Sequence, residues 1–129
     1  MTTGRFTLPK EERLSRKRDV DQLFAKGRTF VAFPLRVVYL IVKGEFLVPS
    51  SFLVSVSKKR FKRAVDRNRV KRQMREAYRV RKHELLEVLA GSDRRIWIAF
   101  LYMDKEIYPQ VKIEKAMEKA IQILRRKLR

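Results

Sequence analysis

Apolar residues are spaced in three different ways along the chain, and the change from one spacing to the next predicts its elements. Val20, Leu23 and Phe24 fall at i, i+3 and i+4, so a short helix with one narrow apolar stripe is expected, capped by Ser15 and ended by Gly27. Thr29 to Ala32 reads as a short strand. Leu35 to Val42 is rich in β-branched residues, opens after Pro34 and closes at Lys43-Gly44, which predicts a second strand. Phe52, Val54 and Val56 then alternate with Leu53, Ser55 and Ser57, the pattern of a strand with one core face and one mostly polar face.

From Ala64 to Leu89 the period becomes helical. At about 100° per residue, Val70, Met74, Ala77, Tyr78 and Leu85 gather on one arc, with Lys71, Arg72, Arg75, Arg79 and Lys82 expected on the opposite side. Gly91-Ser92-Asp93 ends this helix, and the unbroken apolar run Ile96 to Met103 predicts a central strand buried on both faces. After a loop around Pro109, Ile113, Ala116, Met117, Ala120, Ile121, Leu124 and Leu128 mark an amphipathic helix that covers the sheet. Its basic end, Arg125 to Lys127 and Arg129, suits the negative pole of the helix. Residues 1–14 are polar, contain Pro9 and are expected to form an extended arm on a single domain spanning 1–129, since no linker or repeat interrupts it.

Charge changes this picture from a small α+β fold to one with a polyanionic partner. Lys and Arg number 33 against 14 Asp and Glu, a formal net charge of +19. Self-repulsion on that scale opposes folding and attracts polyanions, nucleic acid above all. The absence of cysteine excludes disulfides, thiolate metal sites and cysteine nucleophiles, and fits a reducing cytoplasm. The first residues hold no apolar run of signal-peptide length, and the longest apolar run, Ile96 to Met103, is far below bilayer-spanning length, so no membrane association is expected.

The charge is clustered. Thirteen basic residues and two acidic ones, Asp66 and Glu76, lie between Lys58 and Lys82. Such a run leaves a strand as a loop and enters a helix, combining loop cations, helix N-terminal amides and a fan of guanidinium groups suited to several phosphates at once. Lys58, Lys59, Arg60, Arg63, Arg67, Arg69, Lys71, Arg72 and Arg75 are therefore candidate phosphate contacts for a nucleic acid.

The same segment resembles a known family. Ser55-Val56-Ser57-Lys58-Lys59, followed by Ala64-Val65-Asp66-Arg67-Asn68-Arg69-Val70-Lys71-Arg72-Gln73-Met74-Arg75-Glu76, is similar to the signature of the ribonuclease P protein family, and Arg13-Leu14, Asp19, Phe24 and Lys26-Gly27 resemble the family's opening. The resemblance implies an α-β-β-β-α-β-α order, a ribosomal-protein-like two-layer sandwich, with a left-handed β-α-β crossover. Periodicity supplies that order but not the hand, because the general rule for such crossovers favours the right hand.

The resemblance also implies a role as the protein subunit of a tRNA 5′-processing endoribonuclease. The Arg-Asn-Arg segment, with Arg67, Asn68, Arg69, Lys71, Arg72 and Arg75, would dock on the catalytic RNA beside Lys58, Lys59, Arg60 and Arg63, and a cleft lined by Val20, Phe24, Arg36, Val38, Ser55 and Lys59 would hold the leader of precursor tRNA. Two positions depart from the family's aromatic pattern, Val20 and Val38, so either the leader contact uses less stacking here or Phe30, Phe33 or Tyr39 substitutes; Lys62 stands where many members carry glycine. Catalysis and its Mg2+ would belong to the RNA, with no catalytic or tightly bound metal site in this chain and no obligate protein partner.

The side chains agree with that division. His83 is the single histidine, expected on the solvated side of its helix. Asp19 and Asp21 point about 200° apart on a helix and cannot share an ion, and Asp104 with Glu106 is a bare pair of loop carboxylates. A ribosomal protein or RNA chaperone is the competing binding reading; a metal-dependent nuclease acting alone would need a carboxylate cluster not evident here.

Overall fold

In the computed structural model, which describes residues 12–44 and 49–129, the elements follow the expected order. They are α1 (Lys17–Lys26), β1 (Arg28–Ala32), β2 (Leu35–Lys43), β3 (Ser50–Ser55), α2 (Ala64–Leu89), β4 (Arg94–Tyr102) and α3 (Gln110–Leu128). The strands form one mixed sheet in the order β1-β2-β4-β3. β2 is antiparallel to both β1 and β4, whereas β3 runs parallel to β4 and is joined to it through α2. A parallel pair cannot be closed by a tight turn, so the long basic helix is also the crossover that the topology requires.

The sheet has two unequal coats. Leu35, Val37 and Tyr39 of β2, Phe52 of β3 and Ile96, Ile98, Phe100 and Tyr102 of β4 pack in the main core with Val70, Met74, Tyr78 and Leu85 of α2 and the whole apolar stripe of α3. On the opposite face, Leu14 and Leu23 pack with Val38, Trp97 and Ala99, with Val20 beside them. β4 contributes alternate residues to both clusters, which is why it reads as one unbroken apolar run.

Tyr78 fixes α2 across the sheet. Its ring lies 4.6 Å from that of Phe52 and 5.4 Å from that of Phe100, and its hydroxyl is 3.1 Å from Ser50 Oγ. Burying a ring of this size contributes roughly 2–3 kcal/mol, and a satisfied hydroxyl avoids the cost of an orphan polar group.

Two expected boundaries change in detail. The N-cap of α1 is Arg16, not Ser15, and no side chain caps it. β3 begins at Ser50 and ends at Ser55, because Ser57 already belongs to a turn: its carbonyl accepts from the amides of Arg60 and Phe61, and its Oγ from that of Lys59, 3.0 Å away. At the end of α1, a side chain on Gly27 would meet the carbonyl oxygens of Leu23 at 2.4 Å and Tyr39 at 2.9 Å, so the close approach to β2 needs a glycine. Of the expected arm, residues 12–14 lie along β3, with the Leu14 amide donating to the Phe52 carbonyl at 2.7 Å. The rest of the arm lies outside the described residues.

Candidate RNA interface

The basic loop is held from inside by an apolar residue. Phe61, within the Lys-Arg run, is buried with its ring 6.0 Å from Tyr102. Arg67 Nη1 then donates to the carbonyls of Phe61 and Lys62 at 2.9 and 2.8 Å, tying the first turn of α2 back to the loop. Strand end, loop and helix start are thereby one piece. Lys58, Lys59, Arg60, Arg63, Asn68, Arg69 and Arg72 stand exposed on it, while Arg67, Lys71 and Arg75 are half-buried.

The two flanks of the fan differ. On one side, Arg75 faces Arg13 of the docked N-terminal segment across a pocket of about 190 Å³ also lined by Leu14, Ser15 and Leu53. Burial, and next the charge of Arg13, lowers the Arg75 pKa from its ordinary value. Two cations sharing a recess favour an anion between them. On the other side, Arg69, Arg72, Gln73, Glu76 and Gln110 line an open pocket of about 370 Å³ against the start of α3. Here Gln73 Nε2 donates to the Tyr108 carbonyl at 2.7 Å and Gln110 Nε2 to the Gln73 carbonyl at 3.1 Å. Sequence reasoning does not bring Arg13 to this flank, because no spacing rule links it to Arg75.

The expected cleft residues fall on the α1 side of the sheet. Register places Val31, Arg36, Leu101 and Ser55 in one row across all four strands, and Thr29, Val38, Ala99 and Leu53 in the next. The first row is open: Val31, Arg36 and Ser55 are exposed and Leu101 half-buried, with Lys59 exposed just past the end of β3. Phe24, 47 % exposed, borders the same face from α1. Val38 is buried in the cluster under α1 and Val20 packs partly buried against it, so these two support the floor of the cleft and offer little surface to a ligand.

Lys82 must be moved from the expected solvent side of α2. It is fully buried, and its ammonium donates to the carboxylate of Glu12, itself 5 % exposed. Lys82 lies one turn from Tyr78, about 40° around the helix, at the margin of the apolar arc, where the returning N-terminal segment covers it. Arg81 is likewise internal in its use, with Glu84 Oε2 at 3.7 Å and Glu118 Oε2 at 3.6 Å. His83 is half-buried, not solvated.

Of the loop carboxylates, Asp104 is occupied locally, whereas Glu106 is exposed and contributes its backbone carbonyl. Asp104 accepts from the Tyr108 hydroxyl and from the Lys105 amide, and the former bond is the main cause holding its carboxyl below the usual carboxylate range. The Glu106 carbonyl takes the Tyr102 hydroxyl at 2.8 Å. Among the described residues no group of three His, Asp or Glu is placed to hold a metal ion, and no helix is long and apolar enough to cross a membrane.

Comparison with known proteins gives a consistent result. The family model described as Ribonuclease P matches residues 8–125. The ribonuclease P protein component of Porphyromonas gingivalis strain W83 is 47 % identical over 116 residues, covering 90 % of this chain and 85 % of that protein. That of Chlorobaculum tepidum is 39 % identical over 102 residues, 74 % of this chain and 66 % of that one. Among solved structures, the Staphylococcus aureus RNase P protein superposes with a TM-score of 0.65 at 23 % identity, over 88 % of this chain and 95 % of that chain. The Thermotoga maritima RNase P protein gives 0.59 at 22 % identity, over 89 % and 96 %.

Proposed function

The chain belongs to the ribonuclease P protein family, as the protein component of the ribonucleoprotein endoribonuclease that processes the 5′ end of precursor tRNA, and from this we propose how it divides its surface between two RNAs. The exposed fan of the basic loop and α2 docks on the catalytic RNA, with Arg69, Arg72, Asn68, Lys58, Lys59, Arg60 and Arg63 meeting phosphates directly. Arg67, Lys71 and Arg75 act from its half-buried edge, Arg67 by shaping the loop and Arg75 together with Arg13. The open row Arg36, Leu101 and Ser55, bordered by Phe24 and Lys59, takes the single-stranded leader, Arg36 and Lys59 contacting backbone and Phe24 stacking.

The observation carrying this reading is that the loop is anchored inward by Phe61 and Arg67 while its remaining cations point outward. A preformed cationic surface loses little conformational entropy on binding, and each phosphate neutralised releases counterions. The chain's work is binding and neutralisation. The Mg2+ of the reaction is placed on the RNA, the site of action in the cytoplasm, and the whole chain is taken as one RNA-binding domain.

The test is cleavage of a 5′-extended precursor tRNA at low Mg2+ by the protein, the catalytic RNA and the mixture. Cleavage at the mature 5′ end by the mixture, well above either component alone, is expected. Cleavage by the protein alone would overturn the assignment of chemistry to the RNA, and a failure to stimulate would favour a general RNA chaperone.

A further inference from the structure

One surface corner is not used by either contact above. Phe33, in the turn between β1 and β2, is 51 % exposed, and exposed Val111 lies at the start of α3. Phe33 meets Tyr108 edge-on, ring centroids 6.1 Å apart at 69°. Lys112 from the first turn of α3 holds its ammonium 4.0 Å from the Tyr108 centroid and 5.6 Å from that of Phe33. The corner is braced from behind: the Tyr108 hydroxyl donates to Asp104, and the Met103 amide donates to the Pro34 carbonyl at 2.9 Å.

We infer that this corner is a stacking site for an unpaired base of the catalytic RNA, Phe33 supplying the ring face and Lys112 the contact to the adjoining phosphate. Three observations support it. The half-exposed Phe33 ring has a cation beside it, so a partner with an apolar face and a negative charge at its edge is complementary to both. The rings and the lysine are already ordered by one another, as a stacking platform requires. The corner is continuous with the docking flank of α2, because the carbonyl of Tyr108 is held by Gln73, and Gln73 and Gln110 line the same pocket as Arg69 and Arg72. A duplex hides its base faces, so the occupant is a nucleotide from a loop, bulge or end.

The inference rests on the docking of α2 on the catalytic RNA, and the experiment separates the two. Affinity of the full chain for the catalytic RNA is measured across a salt series for the unaltered protein, Phe33→Ala, Lys112→Ala and Arg69→Ala. Phe33→Ala is expected to weaken binding about tenfold with an unchanged salt slope, since a stacked ring displaces no counterion, whereas Lys112→Ala and Arg69→Ala each lower the slope by about 1. In parallel, the fluorescence of Phe33→Trp, read against the Trp97 background of the unaltered chain, should be quenched by the catalytic RNA. That variant keeps a stacking ring and should bind as the unaltered chain does, which distinguishes loss of stacking from loss of fold. Loss of affinity in Arg69→Ala but not in Phe33→Ala would overturn the base site and leave the docking reading standing. Full affinity in both would remove both. Quenching that appears only when precursor tRNA is added would assign the corner to the substrate and overturn the present choice of occupant.

Discussion

The two halves of α2 carry the same kinds of residue and use them in opposite ways. In the first half, Arg69 and Arg72 stand exposed beside the start of α3; in the second, Arg81 is divided between Glu84 and Glu118, and Lys82 is sealed against Glu12. The division follows what lies over the helix. The first half projects beside an anchored loop, while the second runs under the N-terminal segment and along α3, where an unpaired charge would carry a heavy desolvation cost. A cation on this helix is therefore available to a polyanion only where the fold leaves it uncovered.

The sharpest break in that contrast should come from Lys82→Ala, which strands the Glu12 carboxylate in the interior. Thermal or urea unfolding should show a loss of about 3–5 kcal/mol, with the salt slope of RNA binding unchanged wherever the variant is folded. Replacing both residues with apolar ones, Glu12→Leu with Lys82→Met, should recover part of that loss, because the Glu12 carboxylate is no longer stranded.

Arg67 sits between the two classes. Arg67→Ala removes a charged donor from two loop carbonyls and should cost about 1.5–3 kcal/mol in unfolding experiments while also weakening RNA binding through the loosened loop. A loss of affinity with full stability would make it a simple phosphate contact. For Arg69→Ala and Arg72→Ala, stability should stay within about 0.5 kcal/mol while the log-log salt slope falls by about 1 for each. Melting temperatures that drop in parallel with affinity would erase the distinction between the halves.

The smallest effect on the catalytic-RNA interface is expected from Phe24→Ala, which lies on the other face of the sheet. Assembly should be intact, while preference for precursor over mature tRNA in the assembled particle decreases, measured by competition binding. Equal preference in variant and unaltered chain would leave Phe24 as ordinary surface next to the packed Leu23.

Much of this was legible before any coordinates. Ala64 to Leu89 is helical from end to end, the stripe from Ile113 to Leu128 is buried along its length, and the apolar run in β4 is central, because each follows from a period that one element imposes on its own residues. The basic loop and the cleft residues Phe24, Arg36, Ser55 and Lys59 were also named from the chain and its family resemblance, and all four lie at the surface. Arg13 beside Arg75, Glu12 against Lys82, and Phe33 with Tyr108 and Lys112 were not legible, since each joins elements far apart in the chain.

By itself, then, the sequence determined the elements, the sign and location of the charge and the class of partner, all of which depend on spacing and composition along one segment. Only the tertiary structure decided which cations are buried, which are spent on neighbours and which face water. Burial depends on what another part of the chain lays over a residue, and a helical period records the direction of a side chain without recording what it meets there.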